Sequence, residues 1–204
     1  QLLREALVVA TKLDVSAFVD WIRAEQSGYK DQEVPPYRHV RGRLRAFNPA
    51  RGYIPVQLDD DELTGQLETY TLREPISHLH HLTAKSDSAG AVVPFPSELA
   101  RRLSPESYHL GIVPELQIGR HALLTVFDSI RQIVLEWALK LERDGILGHG
   151  MSFSQSEKVS AANSVINYGT IIMGSASGPV QTQASSSGTQ MIEQASSSMD
   201  WDAV

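Results

Sequence analysis

The stretch RHALLTVFDSIRQIVLEWALKLER, from Arg120 to Arg143, decides the fold. Leu123, Val126, Phe127, Ile130, Ile133, Val134, Trp137 and Leu141 recur at steps of three and four and share one wide helical face. A face this broad suits a core strut, although an oligomer seam could use it as well. Such a strut needs layers to pack against, and the preceding residues supply them.

Working back toward the start, Leu3, Leu7 and Ala10 mark a first helix, and Asp14 is placed to cap a second one carrying Phe18, Trp21, Ile22 and Glu25 and ending at Gly28. After Val34-Pro35-Pro36 the pattern changes. Tyr37 to Phe47 alternates, with Val40, Gly42, Leu44 and Ala46 on one face and Arg41, Arg43 and Arg45 on the other, as a half-exposed strand does. The turn cluster Asn48 to Gly52 sends the chain back through Tyr53 to Leu58, the second strand of a hairpin. Asp59 to Glu62 place acids at a helix start, Pro75 suits the first turn of another helix with Ile76, Leu79 and Leu82 inward, and Pro94 and Pro96 frame a short helix to Leu103. The expected class is α+β: a mainly helical body with a small antiparallel β-element and one long C-terminal helix, followed by a Gly/Ser/Gln-rich, β-prone tail.

The chain has 204 residues, a net charge of -6 and no cysteine, which excludes disulfides, thiol nucleophiles and zinc-cysteine clusters and makes the cytoplasm the expected compartment. No apolar run reaches the length of a membrane span, and no membrane contact is expected. Composition breaks near Gly145. Residues 159–204 hold only Glu193, Asp200 and Asp202 of the 24 acids and none of the 18 Lys and Arg. The expected division is a body over 1–148 and a low-complexity tail over 149–204, with oligomerising β-segments at about 165–183. Within these, Val165, Ile166, Tyr168, Ile171, Ile172 and Met173 are too apolar for a solvated linker and too few for a core of their own, while copies from several chains could bury one another's edges.

Most catalytic signatures are missing. There is no phosphate-binding Gly-x-x-x-x-Gly-Lys loop and no His-Glu-x-x-His pair, and the GSASG run from Gly174 to Gly178 has Ala in the nucleophile position of a hydrolase elbow. Arg73 and His78 fit the Arg-x4-6-His spacing of HEPN-type ribonucleases, where the pair would activate a ribose hydroxyl and stabilise the phosphorane. The spacing arises at about the chance rate, and Pro75 interrupts it. Glu74, His78 and His81 would share a helix face at metal-ligand spacing, but an amphipathic surface explains them equally well, and no metal or other cofactor is expected. Arg38, Arg41, Arg43 and Arg45, with Arg51 following, form the densest basic region, a nucleic-acid or anion-binding candidate with Tyr37, Phe47 and Tyr53 near enough to stack; the alternative is a solvated face paired with Asp59 to Glu62.

The order of motifs resembles a known family. Leu2 to Leu13, Trp21-Ile-Arg-Ala-Glu25, Gly28-Tyr29, Pro36-Tyr37-Arg38 with Gly42, then Leu72, Ile76, Leu79, Ile130-Arg131, Leu135, Ala138-Leu139 and Leu141-Glu142 are similar to the AbiT type-ii (AbiTii) abortive-infection family over about residues 1–143. The chain departs from it at Leu79-His80-His81, where acids are usual, and in the more basic Arg41 to Arg45. The resemblance implies a helix ahead of Gln1, a Gly/Gln/Asn-rich tail, and prokaryotic antiviral defence by arrest or death of the infected cell. It supplies no catalytic residue. The chain is therefore expected to be an anti-phage module that acts by sensing or interaction and by assembly, without enzymatic activity. A toxin ribonuclease using Arg73 and His78 and a nucleic-acid-binding adaptor are the alternatives. The expected partners are further copies of the chain, a trimer ahead of a dimer, then a phage or host protein, and nucleic acid weakly bound.

Overall fold

The computed structural model describes residues 1–85, 90–103, 111–150 and 152–163. Helices α1 (Leu2–Lys12) and α2 (Ser16–Ser27) lead through a 3-10 turn (Pro36–Arg38) into strands β1 (His39–Arg41), β2 (Arg43–Asn48) and β3 (Gly52–Pro55). Then follow α3 (Asp61–Glu68), β4 (Thr69–Thr71), α4 (Ile76–Lys85), β5 (Ala91–Pro94), α5 (Ser97–Leu103), β6 (Pro114–Ile118), α6 (Arg120–Arg143) and α7 (Gln155–Asn163). The fold is α+β, and its long helix has the bounds read from its apolar stripe.

Local chemistry accounts for most element ends. Asp60 caps α3 as the acidic run suggests, its Oδ1 accepting from the Leu63 N–H at 2.9 Å. Asp14 does not cap α2. It takes φ +59° just after α1, where the Asp14 N–H donates to Thr11 O and the Val15 N–H to Ala10 O, the paired bonds of a Schellman ending, which Asp tolerates better than a β-branched residue would.

The strands form two antiparallel sheets, β1-β4 and the four-stranded β3-β2-β6-β5. The expected hairpin is present as β2 and β3, with Phe47 opposite Tyr53. Its first strand is shorter than the alternation suggested, because Tyr37 and Arg38 lie in the 3-10 turn. Gly42 divides that strand between the two sheets. Its N–H donates to Glu68 O at 2.7 Å, and a Cβ there would lie 2.6 Å from the Leu116 side chain and 2.8 Å from the Gln117 carbonyl. Leu44, Leu116 and Ile118 turn one face of the four-stranded sheet into the core shared with α1, α2, α4 and α6, where Phe18 stacks on Trp137 at 4.3 Å.

Residues 152–163, which composition alone assigns to the tail, carry side chains that join this core. Ala161 is fully buried and Phe153 packs against the cluster. Helix α7 opens on a capping box: the Ser154 N–H donates to Glu157 Oε2 at 2.7 Å while the Glu157 N–H returns to Ser154 Oγ, and Gly148 N–H donates to Oε1 at 2.9 Å. These donors hold the Glu157 carboxyl down at about 2. Lys158 Nζ then reaches Asp14 Oδ2 at 2.9 Å, tying α7 to the α1 ending.

Because backbone and core side chain meet at Gly42, we expect Gly42→Ala to lower stability by about 1–3 kcal/mol in denaturant unfolding. An unchanged midpoint would show that Leu116 can yield.

Candidate functional site

A charged residue on the apolar face of α2 needs a partner, and the structure supplies several. Glu25 and Arg38 are both 0% exposed. Arg38 Nε donates to Glu25 Oε1 at 3.0 Å and Nη2 donates to Oε2, while Nη1 donates to the carbonyls of Leu72 and Glu74 at 2.8 and 2.9 Å. Tyr29 and Tyr37 hydroxyls donate to Glu25 Oε1 at 2.7 and 2.8 Å, and Trp21 Nε1 donates to the Tyr37 oxygen at 2.8 Å. The Tyr29 ring lies under the guanidinium, 4.9 Å from centroid to Cζ. Burial works against the Arg38 charge, but the hydrogen bonds and charge of Glu25 outweigh it and raise its pKa. Burial, then the neighbouring Glu25 charge, pushes both phenols well above their usual range.

This corrects one expected site residue. Arg38 has no guanidinium surface to offer an anion, since its donors are engaged inside the body. Tyr37 is likewise a hydrogen-bonding member of the network and not a stacking platform.

The remaining arginines lie outward. On the solvent side of the four-stranded sheet, Arg43, Arg45 and Phe47 of β2 stand beside Tyr53 of β3 and Glu115 and Gln117 of β6. Arg45 Nε donates to Glu115 Oε1 at 2.8 Å, and its guanidinium covers the Tyr53 ring at 3.7 Å. Phe47 meets Tyr53 edge-on at 5.3 Å, yet the two remain 50% and 57% exposed. Arg41, Arg43 and Arg51 are exposed, and among the described residues no ion pair joins them to Asp59, Asp60, Asp61, Glu62 or any other acid. Arg41 lies beside Gly65 of α3.

Arg73 and His78 are used separately. Arg73 Nη1 donates to the carbonyls of Tyr29, Lys30 and Gln32 at 3.3, 3.0 and 3.4 Å, clamping the loop after α2. His78 is an exposed residue in the first turn of α4. An open depression of about 360 Å³ beside the clamp is lined by Arg73 and Glu74 but not by His78. Glu74 precedes Pro75 and so lies outside α4, which breaks the helix face proposed to unite it with His78 and His81; its Oε1 accepts from the Tyr70 hydroxyl at 3.2 Å. Among the described residues no group of three or more His, Asp or Glu is placed to hold a metal ion. Val165, Ile166, Tyr168, Ile171, Ile172 and Met173 lie outside the described residues.

Sequence reasoning missed β4, β5, β6 and α7, and of these β5 and β6 complete the sheet face. Pro114 to Ile118 alternates buried and half-exposed, but five residues are too few for the period to stand out beside the long helix that follows.

Comparison with known proteins gives one match: the family model described as AbiTii matches residues 1–166, about four fifths of the chain. No curated protein and no solved structure matches it.

Removing one member of a buried ion pair strands the other, so Glu25→Ala is expected to lower stability by about 3–5 kcal/mol in denaturant melts. Since folding favours the neutral phenols, stability should fall as pH rises past the ordinary tyrosine value of 10.0, where the unfolded chain ionises first. Two of the six tyrosines should therefore give no phenolate absorbance until the chain unfolds. All six ionising together in the native state would contradict the network.

Proposed function

We propose that this chain, which belongs to the AbiTii family, protects a prokaryotic cell from phage by contact and assembly. Family membership carries the coarse function, abortive-infection phage defence. In the proposed mechanism the body presents the outer face of β3-β2-β6-β5 to a phage or host component, and the segment after Asn163 makes the chain multivalent. The carrying observation is that face itself: an exposed aromatic pair and Arg43, which has no acidic partner among the described residues, mounted on a sheet whose other side is core and flanked by Arg41 and Arg51. A surface that keeps large apolar groups half in water has a use for them when a partner covers them.

A ribonuclease reading has less support. In the Arg73–His78 candidate the arginine is bound to three backbone carbonyls, and among the described residues no side-chain hydrogen bond or ion pair is found for His78. Assembly draws on the apolar residues Val165, Ile166, Tyr168, Ile171, Ile172 and Met173, for which a trimer is the favoured arrangement. The cytoplasm is the proposed compartment; among the described residues no helix is long and apolar enough to cross a membrane.

In a phage-challenge assay, Phe47→Ala combined with Tyr53→Ala should reduce protection tenfold or more with the thermal midpoint nearly unchanged. His78→Ala, alone and with Arg73→Ala, should stay within a few-fold of wild type. Protection lost in the His78→Ala single variant would restore the enzyme reading. Truncation after Asn163, which keeps α7, should lower the mass measured by light scattering; equal masses for the full and truncated chains would remove assembly through the tail.

A further inference from the structure

We infer that the outer face of the four-stranded sheet, together with Arg41 at the end of β1 and Arg51 in the β2-β3 turn, binds single-stranded nucleic acid, bases on Phe47 and Tyr53 and phosphates on Arg41, Arg43 and Arg51. The inference rests on the reading of this face as the contact surface and names its partner.

Charge narrows the partner first. The chain carries a net -6, yet these three arginines keep no carboxylate within ion-pairing distance among the described residues, and the face's own acid, Glu115, is taken by Arg45. A surface with unpaired arginines in an acidic protein attracts anions locally while repelling them elsewhere, which favours a ligand that fits the patch over a long unselective polyanion. Arg41 ends β1 and Arg43 opens β2 with only Gly42 between them, so two guanidinium groups follow one another along the chain where it passes from one sheet to the other and suit neighbouring anionic groups of an extended ligand.

The aromatic pair then distinguishes nucleic acid from an acidic peptide. Glu115 holds Arg45, Arg45 lies 3.7 Å from the Tyr53 ring centre, and the Tyr53 and Phe47 rings meet at 69° with centroids 5.3 Å apart, so contacts within the protein orient both rings. The guanidinium covers one side of the Tyr53 ring, and the residue is still 57% exposed. Oriented, half-exposed rings beside unpaired arginines give bases stacking platforms whose ordering has already been met in folding. A carboxylate-rich peptide would use the arginines and leave the rings in water.

Size and stacking exclude a duplex. Four strands at about 4.8 Å separation make a face roughly 14 Å across, broader than the major groove of about 12 Å. Bases within a duplex are also stacked on one another, whereas an open sheet with aromatic residues takes bases already splayed out.

Fluorescence anisotropy on the full chain, with labelled oligothymidylate and oligouridylate of about twelve nucleotides and a duplex of equal length, tests this. The single strands should bind at least tenfold more tightly than the duplex, with a log-log salt slope of about -2, the value for three phosphates on a single strand. Phe47→Ala should weaken binding about tenfold and Phe47→Tyr should not; Arg43→Ala should reduce the slope by about 0.7, whereas Arg131→Ala on the far helix should leave it alone. Equal affinity for strand and duplex, indifference to Phe47→Ala, competition by polyglutamate as strong as by unlabelled oligonucleotide, or no binding at low salt would each overturn the inference. If no oligonucleotide binds but Phe47→Ala still abolishes phage protection, the contact face stands with a different partner. If oligonucleotide binds and Phe47→Ala leaves protection intact, the binding stands and the defence role of the face falls.

Discussion

The buried pair of Glu25 and Arg38 is the constraint on which the rest of the body depends. Two charges removed from water cost several kcal/mol each, and the pair holds only because nearly every donor and acceptor around it is matched. Glu25 comes from α2, Arg38 from the turn before β1, and the carbonyls of Leu72 and Glu74 from the segment after β4. One guanidinium thus fixes three separate stretches of chain. The same residue accepts the Leu72 N–H through its own carbonyl at 2.9 Å, so satisfying the charge also sets where β1 and β4 begin to pair.

From that fixed start, the strand has little freedom. Val40, Leu44 and Ala46 must enter the core, and period-two alternation then puts Arg41, Arg43, Arg45 and Phe47 outside. Gly42 lets the strand pass close to β6, where a side chain would meet Leu116, and so allows one alternating segment to serve two sheets. The inner and outer faces are consequences of a single register. A slip of one residue would bury the arginines and expose the core.

Much of this was legible in the residues. Arg120 to Arg143 was readable because its apolar stripe persists through every turn, and Asp60 because acids ahead of Leu63 have one obvious use. The first misassignment, Arg38, was readable by parity: it falls in step with Val40, Leu44 and Ala46, not with Arg41, Arg43 and Arg45. Counting basic residues concealed that difference. Asp14 was misread because a short acid between two helices suits the end of one as well as the start of the next, and only the φ of +59° separates the two uses. The SQSE box at Ser154 to Glu157 is a local signal that the composition break just before it obscured. Burial of Ala161 depends on contacts with distant segments, which no local pattern contains.

The buried network and the outer face lie on opposite sides of the strands. Trp21, Glu25, Tyr29, Tyr37 and Arg38 converge on one network that is buried but for the half-buried Tyr37, and each has a use there in holding the fold. A carboxylate that accepts from two phenols and a guanidinium, with no exposed surface, is enclosed by its partners, and so is the guanidinium bound to it and to two carbonyls. Arg41, Arg43 and Arg45 lie on the opposite side of the same strand system, at positions the core does not dictate. The network secures the register, and the register leaves the outer positions free to vary in chemistry without cost to the fold.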